Sequence, residues 1–80
     1  MSGVSIIVPA YNEGQNVASA LYGVLLAARE ALGRDFEIIA VDDGSTDNTG
    51  STIEALASAW PELTALRHGR LNINALMTVA

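Results

Sequence analysis

Val4-Ser5-Ile6-Ile7-Val8-Pro9-Ala10-Tyr11-Asn12-Glu13 is the stretch on which the fold turns. Val4 to Val8 is rich in β-branched side chains, which suit a pleated strand, and Pro9 lacks the N–H that would continue a ladder. With apolar residues on both faces, the run reads as a central strand of a parallel sheet. Asn12-Glu13-Gly14-Gln15-Asn16 then supplies turn and cap chemistry. Behind it, Val17, Leu21, Val24, Leu25, Ala28 and Leu32 recur at helical spacing, and Gly33 supplies the stop.

The same grammar repeats. Phe36-Glu37-Ile38-Ile39-Ala40-Val41 predicts a second buried strand, followed by the densest polar segment of the chain, Asp42 to Thr49. Asp, Ser and Thr ahead of Ile53, Leu56, Ala57 and Trp60 mark a second helix, closed by Pro61. Leu63 to Arg67 predicts a third strand, and Leu71 to Val79 a last helical turn or two. The order strand, helix, strand, helix, strand implies an α/β fold with a Rossmann-like parallel sheet and right-handed crossovers. Ligands of such sheets sit beyond the carboxyl ends of the strands. Pro9 to Glu13 and Asp42 to Ser45 both leave from that edge and are expected side by side.

Composition narrows the function. The 80 residues carry nine acidic side chains against four arginines, no lysine, and a net charge of −5. A nucleic-acid clamp needs clustered positive charge, so none is expected. Cysteine is absent and histidine occurs once, which excludes thiolate chemistry and multi-histidine metal sites. The uncharged stretch Val17 to Ala28 falls well short of the ~20 residues of a membrane span. No secretory leader is recognisable at the start, and the expectation is a cytoplasmic chain. A phospho-accepting receiver, which also has an acidic pocket after a buried strand, needs a lysine and is set aside.

Each candidate residue admits two readings. Tyr11, at a strand edge, offers a flat face on which a base stacks, or simply covers the core with its hydroxyl in water. Asp42 and Asp43 point to opposite faces, so they do not easily grip one metal; one suits the turn's N–H groups and the other a base or ribose. Alternatively both cap the following helix. Glu13 complements a helix start. His68 and Arg70 suit either phosphates or a solvated loop, and Trp60 belongs to the core. Neither G-x-G-x-x-G nor G-x-x-x-x-G-K occurs, so a pyrophosphate needs a metal or basic groups from elsewhere.

Taken together, Val4 to Glu13 and Glu37-Ile38-Ile39-Ala40-Val41-Asp42-Asp43-Gly44-Ser45-Thr46-Asp47 closely resemble the start of family 2 glycosyltransferases, most of all the polyprenol-phosphate mannosyl- and glucosyltransferases. The resemblance covers roughly residues 3–68 and implies the N-terminal part of a GT-A nucleotide-sugar-binding domain. It implies that Pro9, Ala10 and Tyr11 line the base pocket, that Glu13 lies near the ribose, and that Asp43 bonds the base with Asp42 beside it. It implies a UDP- or GDP-sugar donor, a lipid-phosphate or glycan acceptor, and work at the cytoplasmic face of the membrane. Complete members hold Mg²⁺ or Mn²⁺ on an Asp-x-Asp motif, which is absent from these 80 residues. Residues 1–70 are thus expected to form the start of the domain. Residues 71–80 read as a divergent tail, as if from a truncation or frame change. The chain alone is expected to be inactive in transfer, the alternative being a non-catalytic nucleotide-binding or interaction module.

Overall fold

The computed structural model describes residues 3–68. Strands β1 (Val4–Ala10), β2 (Phe36–Asp43) and β3 (Leu63–His68) alternate with helices α1 (Val17–Leu32) and α2 (Thr49–Ala59). The strands form one parallel sheet in the order β1-β2-β3, with Ala10 opposite Asp42 and Asp42 opposite Arg67. Segment 71–80, with its expected helical turn, lies outside the described residues.

Strand alternation divides the sheet. Ile6, Val8, Ala10, Ile38, Ala40, Leu63 and Ala65 face the helices and pack with Val17, Leu21, Leu25, Ala28 and Ile53. Leu21 and Ile38 are fully buried, each such side chain contributing ~1.5–3 kcal/mol. Gly33, with φ 66°, turns the chain out of α1, and its N–H bonds the Arg29 carbonyl at 3.0 Å. Trp60 sits one residue past α2, half-buried against the core with its ring 6.1 Å from that of Tyr22. The opposite sheet face carries Ile7, Ile39, Val41 and Leu66.

Two expectations for β1 change. Among the described residues β2 is the central strand and β1 lies at the edge, with Ile7 half exposed. Apolar residues on both faces report what covers the strand from above and below, not its place in the order. Nor does Pro9 end the strand, for it pairs in register with Val41. Val4 donates its N–H toward β2, to the Asp35 carbonyl at 3.1 Å. By alternation the missing N–H of Pro9 therefore falls on the outer side, where no ladder bond is lost.

Candidate functional site

Ala10 and Asp42 are register partners, so the turns after β1 and β2 leave the sheet at one level. The second turn is built around Gly44, whose φ of 79° is open to glycine and strained for other residues. This bend brings the Ser45 N–H back to Asp42 Oδ1 at 3.1 Å. Asp42 is only 4% exposed, and Arg67 Nε approaches its other oxygen at 3.7 Å. Arg67 also lies 3.6 Å from Glu54 of α2. Gly50 makes room for this arrangement, since a Cβ there would run into the Arg67 guanidinium and Asp42 Oδ2.

The first turn has its own unusual residue. Asn12 adopts φ 50°, a left-handed conformation that asparagine tolerates better than most side chains. Its Oδ1 accepts the Thr46 N–H at 2.9 Å, while its own N–H donates to Ser45 Oγ at 2.8 Å. The next two N–H groups continue the series: Glu13 donates to Thr49 Oγ1 at 2.8 Å and Gly14 to Asp47 Oδ2 at 3.1 Å. Three successive amides of the first turn are thus satisfied by side chains of the second.

Asp47 also serves α2. Its Oδ1 accepts the Thr49 N–H at 2.9 Å and, by a short bond, the Thr49 hydroxyl. Asn48, the cap residue by position, makes no such side-chain bond. Hydrogen bonds from the Thr49 hydroxyl, then from the Thr49 and Gly14 N–H groups, hold the Asp47 carboxyl below the usual carboxylate range.

The residues singled out from the sequence divide by exposure. Tyr11 (57%), Pro9, Glu13 and Asp43 are exposed at this rim, whereas Ala10 and Asp42 are buried. The two adjacent aspartates thus differ: Asp42 is tied to the turn and to Arg67, and Asp43 is exposed at the strand end. Asn12, Ser45, Asp47, Thr49 and Arg67 were not singled out as site residues. An Asp two residues before a helix-start Thr is a visible cap signal. Its second partner, Gly14, is 33 positions away and leaves no local mark. His68 closes β3, and Arg70 lies outside the described residues.

An open depression of about 770 Å³ lies elsewhere, lined by Arg29, Gly33, Arg34, Phe36, Pro61 and Glu62 at the amino-terminal ends of the strands. Its principal charges answer one another, Arg29 meeting Glu62 at 2.9 Å. Chemistry and volume are therefore separated, and the carboxyl-end rim is where a parallel sheet offers its ligand crevice. Among the described residues no three carboxylate or imidazole side chains gather to hold a metal ion. With Asp42 bound to Ser45 and Arg67, and Asp47 to Thr49 and Gly14, these residues do not fit the Mg²⁺ or Mn²⁺ expected of complete family members. Among them, too, no helix is long and apolar enough to cross a membrane.

The pattern of two turns on adjacent parallel strands has known counterparts. The sequence profile of "Glycosyl transferase family 2" matches residues 5–77, a span that includes residues 71–77 of the segment expected from the sequence to be a divergent tail. The chain belongs to this family. An undecaprenyl-phosphate 4-deoxy-4-formamido-L-arabinose transferase of Shewanella sediminis is 42% identical over 55 residues, 69% of this chain and 16% of that protein. Its counterpart in Pseudomonas paraeruginosa is 43% identical over 54 residues, 68% of this chain and 16% of that protein. The chain thus spans about a sixth of these relatives. Among solved structures, the mannosyltransferase PcManGT of Pyrobaculum calidifontis, in complex with GDP-Man and Mn²⁺, superposes with a TM-score of 0.74 at 26% identity. That match covers 96% of this chain and 24% of the mannosyltransferase, and it makes the α/β fold the start of a GT-A glycosyltransferase.

Proposed function

We propose that this chain supplies the nucleoside-binding part of a sugar-nucleotide-dependent glycosyltransferase. Tyr11 stacks on the base, Asp43 accepts its N–H groups, and Pro9 and Ala10 form the wall beside them. Glu13 lies toward the ribose, and Asp42 braces the turn that carries Asp43. The donor is a UDP- or GDP-sugar, and the acceptor of the whole enzyme is a lipid phosphate or glycan at the cytoplasmic face of the membrane. One observation carries this reading: Tyr11 and Asp43 immediately follow the register partners Ala10 and Asp42, at the rim where such sheets take ligands. The relatives named for undecaprenyl-phosphate transfer and the GDP-Man complex of the mannosyltransferase support the same donor and acceptor classes.

Absence of an Asp-x-Asp motif from the 80 residues favours a narrower reading for the chain by itself, nucleotide binding without transfer. Transfer requires the charge of the leaving diphosphate to be neutralised, a main electrostatic contribution to such reactions. A thermal-shift series with UDP, GDP and their sugars, with and without Mn²⁺, tests the proposal. A ligand that binds only the folded chain raises its melting temperature by mass action. A shift with one base, independent of Mn²⁺, is expected; no shift with any of them at millimolar concentration would overturn the proposal.

A further inference from the structure

Asp47 stands where two helices begin. Helix dipoles place partial positive charge at α1 and α2 starts, and both starts lie at the carboxyl-end rim. One carboxylate answers both: Oδ1 takes the N–H and hydroxyl of Thr49 at the α2 start, and Oδ2 takes the Gly14 N–H in the turn leading into α1. Thr49, fully buried, relays the contact by accepting the Glu13 N–H at 2.8 Å. Asp47 itself is exposed, so solvation leaves its charge intact while its bonds fix its place.

We propose that Asp47 is the positioning residue of the cleft: through Thr49 and Gly14 it sets the spacing between the Tyr11 turn and the Asp43 turn. This rests on the nucleotide reading above only for its functional consequence. The geometric part stands on the bonds themselves. It also bears on the phosphates. In dinucleotide-binding sheets the pyrophosphate sits on amides at the start of the first helix. Here the Gly14 amide of the turn leading into α1 is held by the protein's own carboxylate, so that one N–H is already engaged.

The test uses the full chain with Asp47→Asn, Thr49→Val and Thr49→Ser. Amide hydrogen exchange at Glu13 and Gly14, referenced to Ile38 and Ala40 in β2, reads the tie between the turns. Titration with UDP and GDP reads its consequence. For Asp47→Asn and Thr49→Val, exchange at Glu13 and Gly14 accelerates at least tenfold against the β2 reference, and nucleotide affinity falls at least tenfold. Thr49→Ser keeps the hydroxyl relay and therefore keeps both exchange protection and affinity, even where the lost methyl lowers the melting temperature. A merely structural role would instead make affinity follow melting temperature across the three variants, and that result overturns the proposal. Unchanged exchange at Glu13 and Gly14 overturns it too. If the parent chain binds neither nucleotide, the functional reading fails by itself, and the exchange pattern alone decides the positioning role. Should Asp47→Asn not fold, the Thr49 pair carries the same comparison.

Discussion

Asn12 accepts the Thr46 N–H at 2.9 Å across 34 positions of sequence, while holding a backbone conformation of φ 50°. Two separable contributions meet in this residue. Asn12→Gly keeps the backbone conformation and loses the side-chain acceptor, which costs ~0.5–1.5 kcal/mol. Asn12→Ala loses the acceptor and adds left-handed strain of ~1–2 kcal/mol. Urea unfolding is expected to rank the chains parent, then Gly, then Ala. Equal losses would remove the strain from the account.

Direct nucleotide contacts have a different signature. Tyr11→Ala and Asp43→Ala are expected to weaken UDP or GDP binding roughly ten- to hundredfold, from lost stacking of ~1–3 kcal/mol and a lost charged hydrogen bond of ~1.5–3 kcal/mol. Tyr11 is 57% exposed, so its loss leaves the melting temperature nearly unchanged. Calorimetry beside thermal melts checks both. A Tyr11→Ala chain that binds as tightly as the parent would remove the stacking role.

Gly50 carries a steric prediction. A methyl group there meets the Arg67 guanidinium and Asp42 Oδ2, so Gly50→Ala is expected to destabilise by ~1–3 kcal/mol. Arg67 is half exposed and can swing away, whereas Asp42 is short and buried. Combining Gly50→Ala with Arg67→Ala should therefore recover only part of the combined loss. Strict additivity in a double-mutant cycle by chemical denaturation would show that the two side chains do not compete for the same space.

Acid stability follows from two carboxylates. Hydrogen bonding and charge from Arg29 lower the pKa of Glu62, as the Thr49 bonds do for Asp47. Both folded-state values lie below their unfolded ones. Their contributions are thus fully present above the unfolded carboxylate range, ~4, and fade as pH falls through the folded values. Arg29→Gln should flatten the acid limb of a melting-temperature profile without altering it near neutrality in shape. A profile unchanged below pH 4–5 (about the carboxylate range) would contradict the Arg29–Glu62 linkage.

Most of the architecture was legible because it is periodic. The spacing of Val17, Leu21, Leu25 and Ala28 predicts α1, and these are the residues its buried stripe contains. Gly33 and Pro61 punctuate where the chain turns. The parallel order follows from alternation, and with it the meeting of the Tyr11 and Asp43 turns. What escaped is non-local. Asp42 and Asp43 are adjacent in sequence, and alternation puts Asp42 on the helix face with Ile38 and Ala40, yet its partners, Arg67 from β3 and the Ser45 N–H brought back by the Gly44 bend, leave no mark there. Asp47 reads locally as a helix cap. Its hold on Gly14 exists only once β1 and β2 are in register.

The amides of Asn12, Glu13 and Gly14 all terminate on side chains from the following strand-to-helix connection. Neither connection is therefore a self-sufficient module. A chimaera that imports residues 42–49 from a relative without residues 9–14 would leave donors facing mismatched acceptors. Recombination within the family should tolerate crossovers inside α2 beyond Thr49 and punish those between residues 14 and 42, α1 included, because these separate the pair.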